Sequence, residues 1–373
     1  MAPPPHLLPL LLLAAVAPSS AAPAPAAIRL PSGRPGACAA APAAIRLSSG
    51  RAGACAAAPA AIRLPSGRAG ACAAAPADLA VYDRPVIGVV THPGDGTYEM
   101  RTYRADSGAS YIAASYVKFV ESGGARVIPL IYNEPEERLF EKLSLVNGVL
   151  FTGGSQKNGS YFETIRKVFQ YVLDRNDAGD PFPLLAECLG FELVSMIVSK
   201  DHDILEPFNA LNQPSTLQFP SYSSLEGSVF QRFDPELIKK LSTSCLVMQN
   251  HRYGISPKRL EENDSLSSFF NILTTSPDEN NKIYVSTVQA QKYPIICTQW
   301  HPEKAIFEWG EPTTPHSEDA VQVSQHFANY FVSQARKSLN RPPADKVLNN
   351  LIYNYSSRFG TSESFDEVYI FST

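Results

Sequence analysis

Between Pro85 and Val198 the sequence alternates short apolar runs with amphipathic stretches, and this alternation restricts the fold more than any other feature of the chain. Pro85-Val86-Ile87-Gly88-Val89-Val90 has no polar side chain at all. Such a run suits a strand covered on both faces. Residues 110–121 then place Ile112, Tyr116, Phe119 and Val120 at helical spacing, and Gly123-Gly124 stops the helix. Strands predicted over 126–131, 148–151 and 182–186 alternate with helices over 136–143, 161–173 and 190–198. Strand–helix alternation implies parallel strands joined by crossover helices. The expected fold is therefore α/β, a mostly parallel sheet with helices on both faces. Further strands are predicted over 246–248, 270–273, 283–286 and 294–297, and a long amphipathic helix over 318–336. No linker-like break interrupts residues 84–373, which read as one domain.

The first 77 residues are of another kind. Residues 1–21 read as a signal peptide, with an apolar stretch from Leu7 to Val16 and small residues at Ser19-Ser20-Ala21. That stretch is too short to span a bilayer, so no membrane span is expected. Richness in Ala, Ser and Arg with no acid before Asp78 also fits a plastid transit peptide. Residues 22–77 are an Ala/Pro/Gly-rich linker of three 17-residue repeats, marked by Ile28-Arg29-Leu30, Ile45-Arg46-Leu47 and Ile62-Arg63-Leu64. Each unit offers one Ile and one Leu to bury, too little to offset the entropy of ordering it. The repeats read as disordered rather than as a solenoid.

Charge and cysteine usage narrow the functions. Six of the 32 basic residues lie in the first 77; the other 26 face all 36 acids, a net of −10 for the body. So acidic a body argues against nucleic-acid binding. Cys38, Cys55 and Cys72 belong to the repeats, and the body keeps Cys188, Cys245 and Cys297. Three are too few for a disulfide framework. No CxxC or HExxH occurs in the body, so no metal site is indicated. Asn158, Asn263 and Asn354 open N-x-S sequons, usable only in a secreted chain.

Two short motifs carry chemistry. In Glu187-Cys188-Leu189-Gly190-Phe191-Glu192 a cysteine sits where a buried strand meets a helix. That is a nucleophile-elbow arrangement with cysteine in the place of serine. The helix N-terminus is expected to lower the thiol pKa. In Gln299-Trp300-His301-Pro302-Glu303 a histidine follows a strand at the edge where α/β sheets bind ligands, and Glu303 is spaced to orient its ring. An H-x-E pair also occurs in zinc deaminases, but their P-C-x-x-C partner is missing.

Together these motifs resemble the class I glutamine amidotransferase pattern, C-x-G-x-[QE] on an elbow and H-P-E late in the chain. Tyr111–Lys118, Glu121–Val127, Cys188–Glu192, Thr298–Lys304 and the ending Tyr369-Ile370-Phe371 make the chain similar to the gamma-glutamyl hydrolases within that superfamily. The resemblance covers about Arg84 to the C-terminus. It implies hydrolysis of folyl and antifolyl poly-γ-glutamates through a thioester, without metal or organic cofactor. Cys188 would be the nucleophile, His301 the general base and acid, and Glu303 its orienting partner. Gly154, in Thr152-Gly153-Gly154, and Leu189 would supply the oxyanion N–H groups. Glu192 and His251 would bind substrate. Arg104, Lys157, Arg252 and Lys304 are candidates for the polyglutamate tail. The implied compartment is a vacuole, a lysosome-like organelle or the cell exterior. Monomer and homodimer are both left open. So are two rivals: a related cysteine hydrolase with another γ-glutamyl or amide substrate, and a non-catalytic folate- or peptide-binding relative.

Overall fold

Alternate residues of the buried strands point to opposite faces, and both faces here are covered. The computed structural model describes residues 81–94, 108–221, 225–359 and 365–372. The predicted signal peptide, the repeats and Arg104 lie outside them. In β1 (Val86–Val90), Val86 and Val90 join one core cluster while Ile87 and Val89 join the other. After β2 (His92–Pro93) and β3 (Ser110–Ala113), the same division recurs along the next parallel strands. These are β4 (Arg126–Leu130), β5 (Gly148–Phe151) and β6 (Leu184–Glu187).

Helices fill both sides. On one lie α2 (Glu136–Leu143), α3 (Gly159–Asp177) and α4 (Leu189–Ser199), which contribute Leu139, Ile165, Val168 and Leu193. On the other lies α1 (Ala114–Ser122), with Tyr116, Phe119 and Val120. The chain continues through β7 (Glu206–Ser215), α5 (Pro235–Thr243), β8 (Val247–Gly254), α6 (Pro257–Glu262) and α7 (Asp264–Phe269). It then forms β9 (Phe270–Pro277), β10 (Ile283–Ala290), β11 (Ile295–Thr298) and α8 (Lys304–Phe307). Helix α9 (Glu318–Ala335) packs Phe327 and Phe331 beside α1, and α10 (Ala344–Asn350), β12 (Arg358–Phe359) and β13 (Glu367–Phe371) follow.

The main sheet runs β4-β1-β5-β6-β11-β10-β9. Its first five strands are mutually parallel, and β10 is antiparallel to both neighbours. The mostly parallel sheet with helices on both faces is therefore as the alternation implied. Two features differ. Residues 110–113 are strand, not the first turn of a helix, because Ser110–Ala113 is buried throughout and pairs with β13 and β2. Its partner β13 comes from the far end of the chain, a pairing no local spacing reports. The second is the antiparallel pair β7–β8, whose long first strand Glu206–Ser215 has no apolar run to announce it.

One buried amide ties the N-terminal strand to the C-terminal segment. Asn147 is fully buried; its Oδ1 accepts from Val86 N at 2.9 Å, and its Nδ2 donates to Asn340 O at 3.0 Å. Asn147→Ala strands both backbone groups. It is expected to destabilise the fold by about 2–3 kcal/mol in denaturant unfolding.

Candidate functional site

The turn from β6 into α4 forces Cys188 into φ 52°, ψ −106°. A non-glycine residue there costs about 1–3 kcal/mol and persists only where its surroundings hold it. Two contacts do so. Cys188 N donates to Thr298 O on β11 at 2.7 Å. A Cβ on Gly190 would lie 2.8 Å from both Cβ and the carbonyl oxygen of Phe151, so α4 can approach β5 only with glycine at that position. This is the sharp strand-to-helix turn of a nucleophile elbow.

His301 comes from the other side of the same sheet edge. Its backbone N donates to Met248 O at 2.9 Å, and Trp300 anchors the turn below it. The Trp300 Nε1 donates to Thr287 Oγ1 at 3.0 Å, and its ring meets Phe327 edge-on at 4.7 Å. His301 Nδ1 lies 2.9 Å from Glu303 Oε1. Glu303 accepts, so Nδ1 carries the proton and Nε2 keeps its lone pair. That Nε2 is buried and has no hydrogen-bond partner among the described residues. A Cβ on Gly153 would lie 2.9 Å from His301 Cε1 and 3.4 Å from Cys188 Cβ, so histidine and cysteine flank the Gly153 backbone together.

The remaining site candidates divide. Leu189 directs its backbone N–H at the Cys188 sulfur. Gly154 has φ +149°, and any Cβ there would strike the His92 ring at 2.3 Å. Glu192 is buried on α4, with Lys157 Nζ 2.8 Å from its Oε2 and Gln299 Nε2 3.4 Å from its Oε1. His251 is buried on β8, next to Asn250, whose carbonyl lies 3.8 Å from the Cys188 sulfur. Its Nδ1 donates to Tyr253 O at 2.8 Å. Burial, with His301 nearby, pushes the His251 pKa down to about 3 against the pull of that carbonyl. It therefore acts as a neutral imidazole and cannot serve as a cation for substrate carboxylates.

Of the three basic candidates among the described residues, Lys157 pairs with Glu192. Lys304 is buried, 5.2 Å from the Phe365 ring centroid, and cannot meet an incoming tail. Arg252 is exposed and adjacent to His251 on a strand, so the two point to opposite faces. The sequons differ as well. Asn158 is exposed beside Lys157, and its Oδ1 accepts from Gln156. Asn354 spends Nδ2 on Leu348 O and Leu351 O. Asn263 uses its oxygen to cap Leu266 N at 3.0 Å.

Three site residues escaped the sequence reading. Tyr116, which spacing marked only as a helix core residue, accepts from Gly153 N at 2.9 Å and lies 3.4 Å from His301 Nδ1. It occupies the Gly153 donor, which leaves Gly154 as the loop's candidate for an oxyanion. His92 accepts from Ser155 N at 3.2 Å and Gln156 N at 3.3 Å, holding the glycine loop. Glu187, one residue before Cys188, is fully buried. Glu187, His301 and Glu303 each bring one polar atom within 4.8 Å of the others, the one such grouping of potential ligands among the described residues. Within the group, the His301 Nδ1–Glu303 Oε1 bond is the hydrogen bond present, and both Glu187 oxygens have no partner among the described residues.

The thiol corrects an expectation. Burial raises the Cys188 pKa well above its ordinary value, Glu192 and Glu303 raise it further, and Lys157 and the Leu189 N–H only partly offset them. The helix N-terminus does not win here, because desolvation of a thiolate outweighs one N–H and a partial charge. At neutral pH the group is a thiol that needs a base.

A strained cysteine elbow facing a carboxylate-oriented histidine, in an α/β sheet, defines a cysteine-type hydrolase. Residues 85–303 match the Peptidase C26 family. Gamma-glutamyl hydrolase 1 of Arabidopsis thaliana is 60% identical over 291 residues, spanning 78% of this chain and 83% of that protein. The Gamma-glutamyl hydrolase of Glycine max is 54% identical over 291 residues, spanning 77% and 84%. The chain belongs to the Peptidase C26 family. Among solved structures it is similar to a glutamine amido transferase from Methylobacillus Flagellatus, at 10% identity and TM-score 0.35, over 70% of this chain and 98% of that one.

The charges around the thiol predict its reactivity. Iodoacetamide alkylation of Cys188, followed by mass spectrometry of its peptide, should accelerate as pH rises. At pH 7, Glu192→Gln should speed it and Lys157→Met slow it, each by about 3- to 10-fold. Equal rates in all three proteins would show that these charges do not act on the sulfur.

Proposed function

We propose that the chain hydrolyses γ-glutamyl bonds of folyl poly-γ-glutamates, with Cys188 as nucleophile and His301–Glu303 as its base system. The observation that carries this reading is the unpartnered His301 Nε2, oriented through the 2.9 Å Nδ1–Glu303 bond, beside the elbow cysteine. His301 Nε2 takes the thiol proton as sulfur attacks the γ-carbonyl carbon. The carbonyl oxygen becomes an oxyanion held by the N–H groups of Gly154 and Leu189. The imidazolium returns its proton to the leaving amine as the C–N bond breaks, leaving a thioester. His301 then deprotonates water, which attacks the thioester, and Cys188 leaves protonated.

Lys157 is the cation this reading assigns to a substrate carboxylate. Its ammonium sits between Glu192 and the Tyr253 ring, 4.9 Å from the ring centroid, so it is held where the acyl group would bind. In a body of net charge −10 a local cation is needed to draw in a polyanionic tail.

We further propose a secretory route, to a vacuole, a lysosome-like compartment or the cell exterior, with a plastid as the alternative. The support is the leader composition and the sequons. No helix among the described residues is long and apolar enough to cross a membrane. Asn354 spends its nitrogen on two carbonyls, whereas the nitrogens of Asn158 and Asn263 make no bond to the described protein, so these two are the better acceptors. Glycosidase treatment of secreted protein should lower its mass, and the double variant Asn158→Gln with Asn263→Gln should abolish the shift; an unchanged shift in that variant would assign the glycan elsewhere.

Glutamate release from a folyl penta-γ-glutamate tests the reaction, with free glutamine as a parallel substrate. Wild type should release glutamate, and Cys188→Ala should be slower by about 1,000-fold or more. Release from glutamine alone would favour a related amide substrate. No release from either by folded protein would favour a binding relative.

A further inference from the structure

Glu187 is the one buried ionisable group at the triad that the mechanism above leaves without a task. It closes β6 opposite Thr298 on β11, and one of its carboxyl oxygens lies within 4.8 Å of a polar atom of His301 and of one of Glu303. Glu187 and Glu303 are both fully buried. Glu303 Oε1 is engaged by His301 Nδ1. Three carboxyl oxygens remain, both of Glu187 and Oε2 of Glu303, and none has a hydrogen-bond donor among the described residues. The nearest hydroxyl in register, that of Thr298, is directed to Trp300 O at 2.8 Å.

Two ionised carboxylates cannot share such a place. Glu187 would carry its desolvation penalty with no donor among the described residues, Glu303 would have only that of His301, and the two would repel at under 5 Å. Supplying one proton resolves all of it. A neutral Glu187 has an O–H to give, and Glu303 Oε2 is an unclaimed acceptor within reach.

We propose that Glu187 is a neutral carboxylic acid that donates its O–H to Glu303 Oε2, and so positions the carboxylate that orients His301. The chain Glu187–Glu303–His301 then holds a single negative charge, placed on Glu303. The direction of the acidities agrees. Burial and then Glu303 push the Glu187 pKa well above the usual carboxylate range. Burial alone would raise Glu303 too, but His301, Lys304 and the bond from Glu187 bring it below its ordinary value. The other ionisable groups facing the chain are Tyr116 from α1, kept a phenol by burial, the Cys188 thiol, His251 from β8, kept neutral by burial, Lys304, and Glu308 at the end of α8, whose pKa burial pushes up to about 7. Glu192 and Lys157 face Cys188 rather than Glu187.

The inference rests on the triad reading, and its test separates the two. Glu187→Gln keeps size and neutrality, and its amide N–H can replace the O–H. Glu187→Met keeps size and has no donor. The Gln variant is expected to retain kcat within about 3-fold and to leave the acid limb of the kcat/KM profile where it is in wild type. The Met variant should lose kcat by about 10- to 100-fold with KM little changed, as for other groups that orient a functional side chain from behind. An ionised Glu187, whether as a base or as part of a metal site, predicts otherwise. Gln would then be as impaired as Met, and loss of its charge would move the acid limb down by about one pH unit. Either result overturns the proposal, as does a folded Met variant with wild-type kcat. Should Met fail to fold, the Gln profile still decides. Alkylation of Cys188 across pH needs no substrate and reads the same base system. A wild-type-like Gln profile there supports the proposal even if the folyl substrate is wrong.

Discussion

The parallel pairing of β6 with β11 is the interaction on which the site depends. Glu187 and Thr298 end the two strands side by side, so the segments that follow them leave from the same edge of the sheet. One turns into the cysteine elbow and the other into the Gln299–Glu303 turn. The bond from Cys188 N to Thr298 O continues the pairing one step past the strand end and locks the strained residue to its neighbour. Residues separated by more than a hundred positions, Cys188 and His301, thereby come together at one candidate site. This is the general advantage of the carboxyl edge of a parallel sheet: several chain segments end there with fixed spacing.

The fold supplies the rigidity that this arrangement consumes. A left-handed cysteine and a close approach at Gly190 are both unfavourable locally. They survive because β5, β6 and β11 are packed on both faces, by α3 and α4 on one side and by α1 and α9 on the other. The supports of the site come from these same layers. Tyr116 reaches from α1 to the glycine loop, and Trp300 leans on Phe327 of α9. His92 steadies the loop from the strand beyond.

The electrostatics are those of a dry site. Burial holds Cys188 as a thiol and His251 as a neutral imidazole, so the machinery rests with few charges in it. The charge that remains has a partner: Glu192 pairs with Lys157, and Glu303 accepts from His301 Nδ1. A thiol held high is a poor nucleophile until a base takes its proton, which makes the orientation of His301 decisive.

The strands β1, β4, β5, β6 and β11, the helices between them and the positions of the Cys188 and His301 motifs at strand ends were legible in the sequence. Each is a local pattern: an apolar run, a helical spacing, or a cysteine and a histidine at strand ends. Boundaries blurred where nonlocal pairing overrode spacing, as when Ser110–Ala113 joined β13 from the far end of the chain. The roles of Glu187, Tyr116 and His92 were not legible, because each acts through a neighbour distant in sequence. The thiol's acidity was misjudged for a related reason, since the helix N-terminus is local whereas the burial that overrides it is not. Lys304 likewise looked available beside its motif until packing enclosed it. Which residues do chemistry follows from local order along the chain; which protons they hold follows from burial, and burial exists only in the tertiary structure.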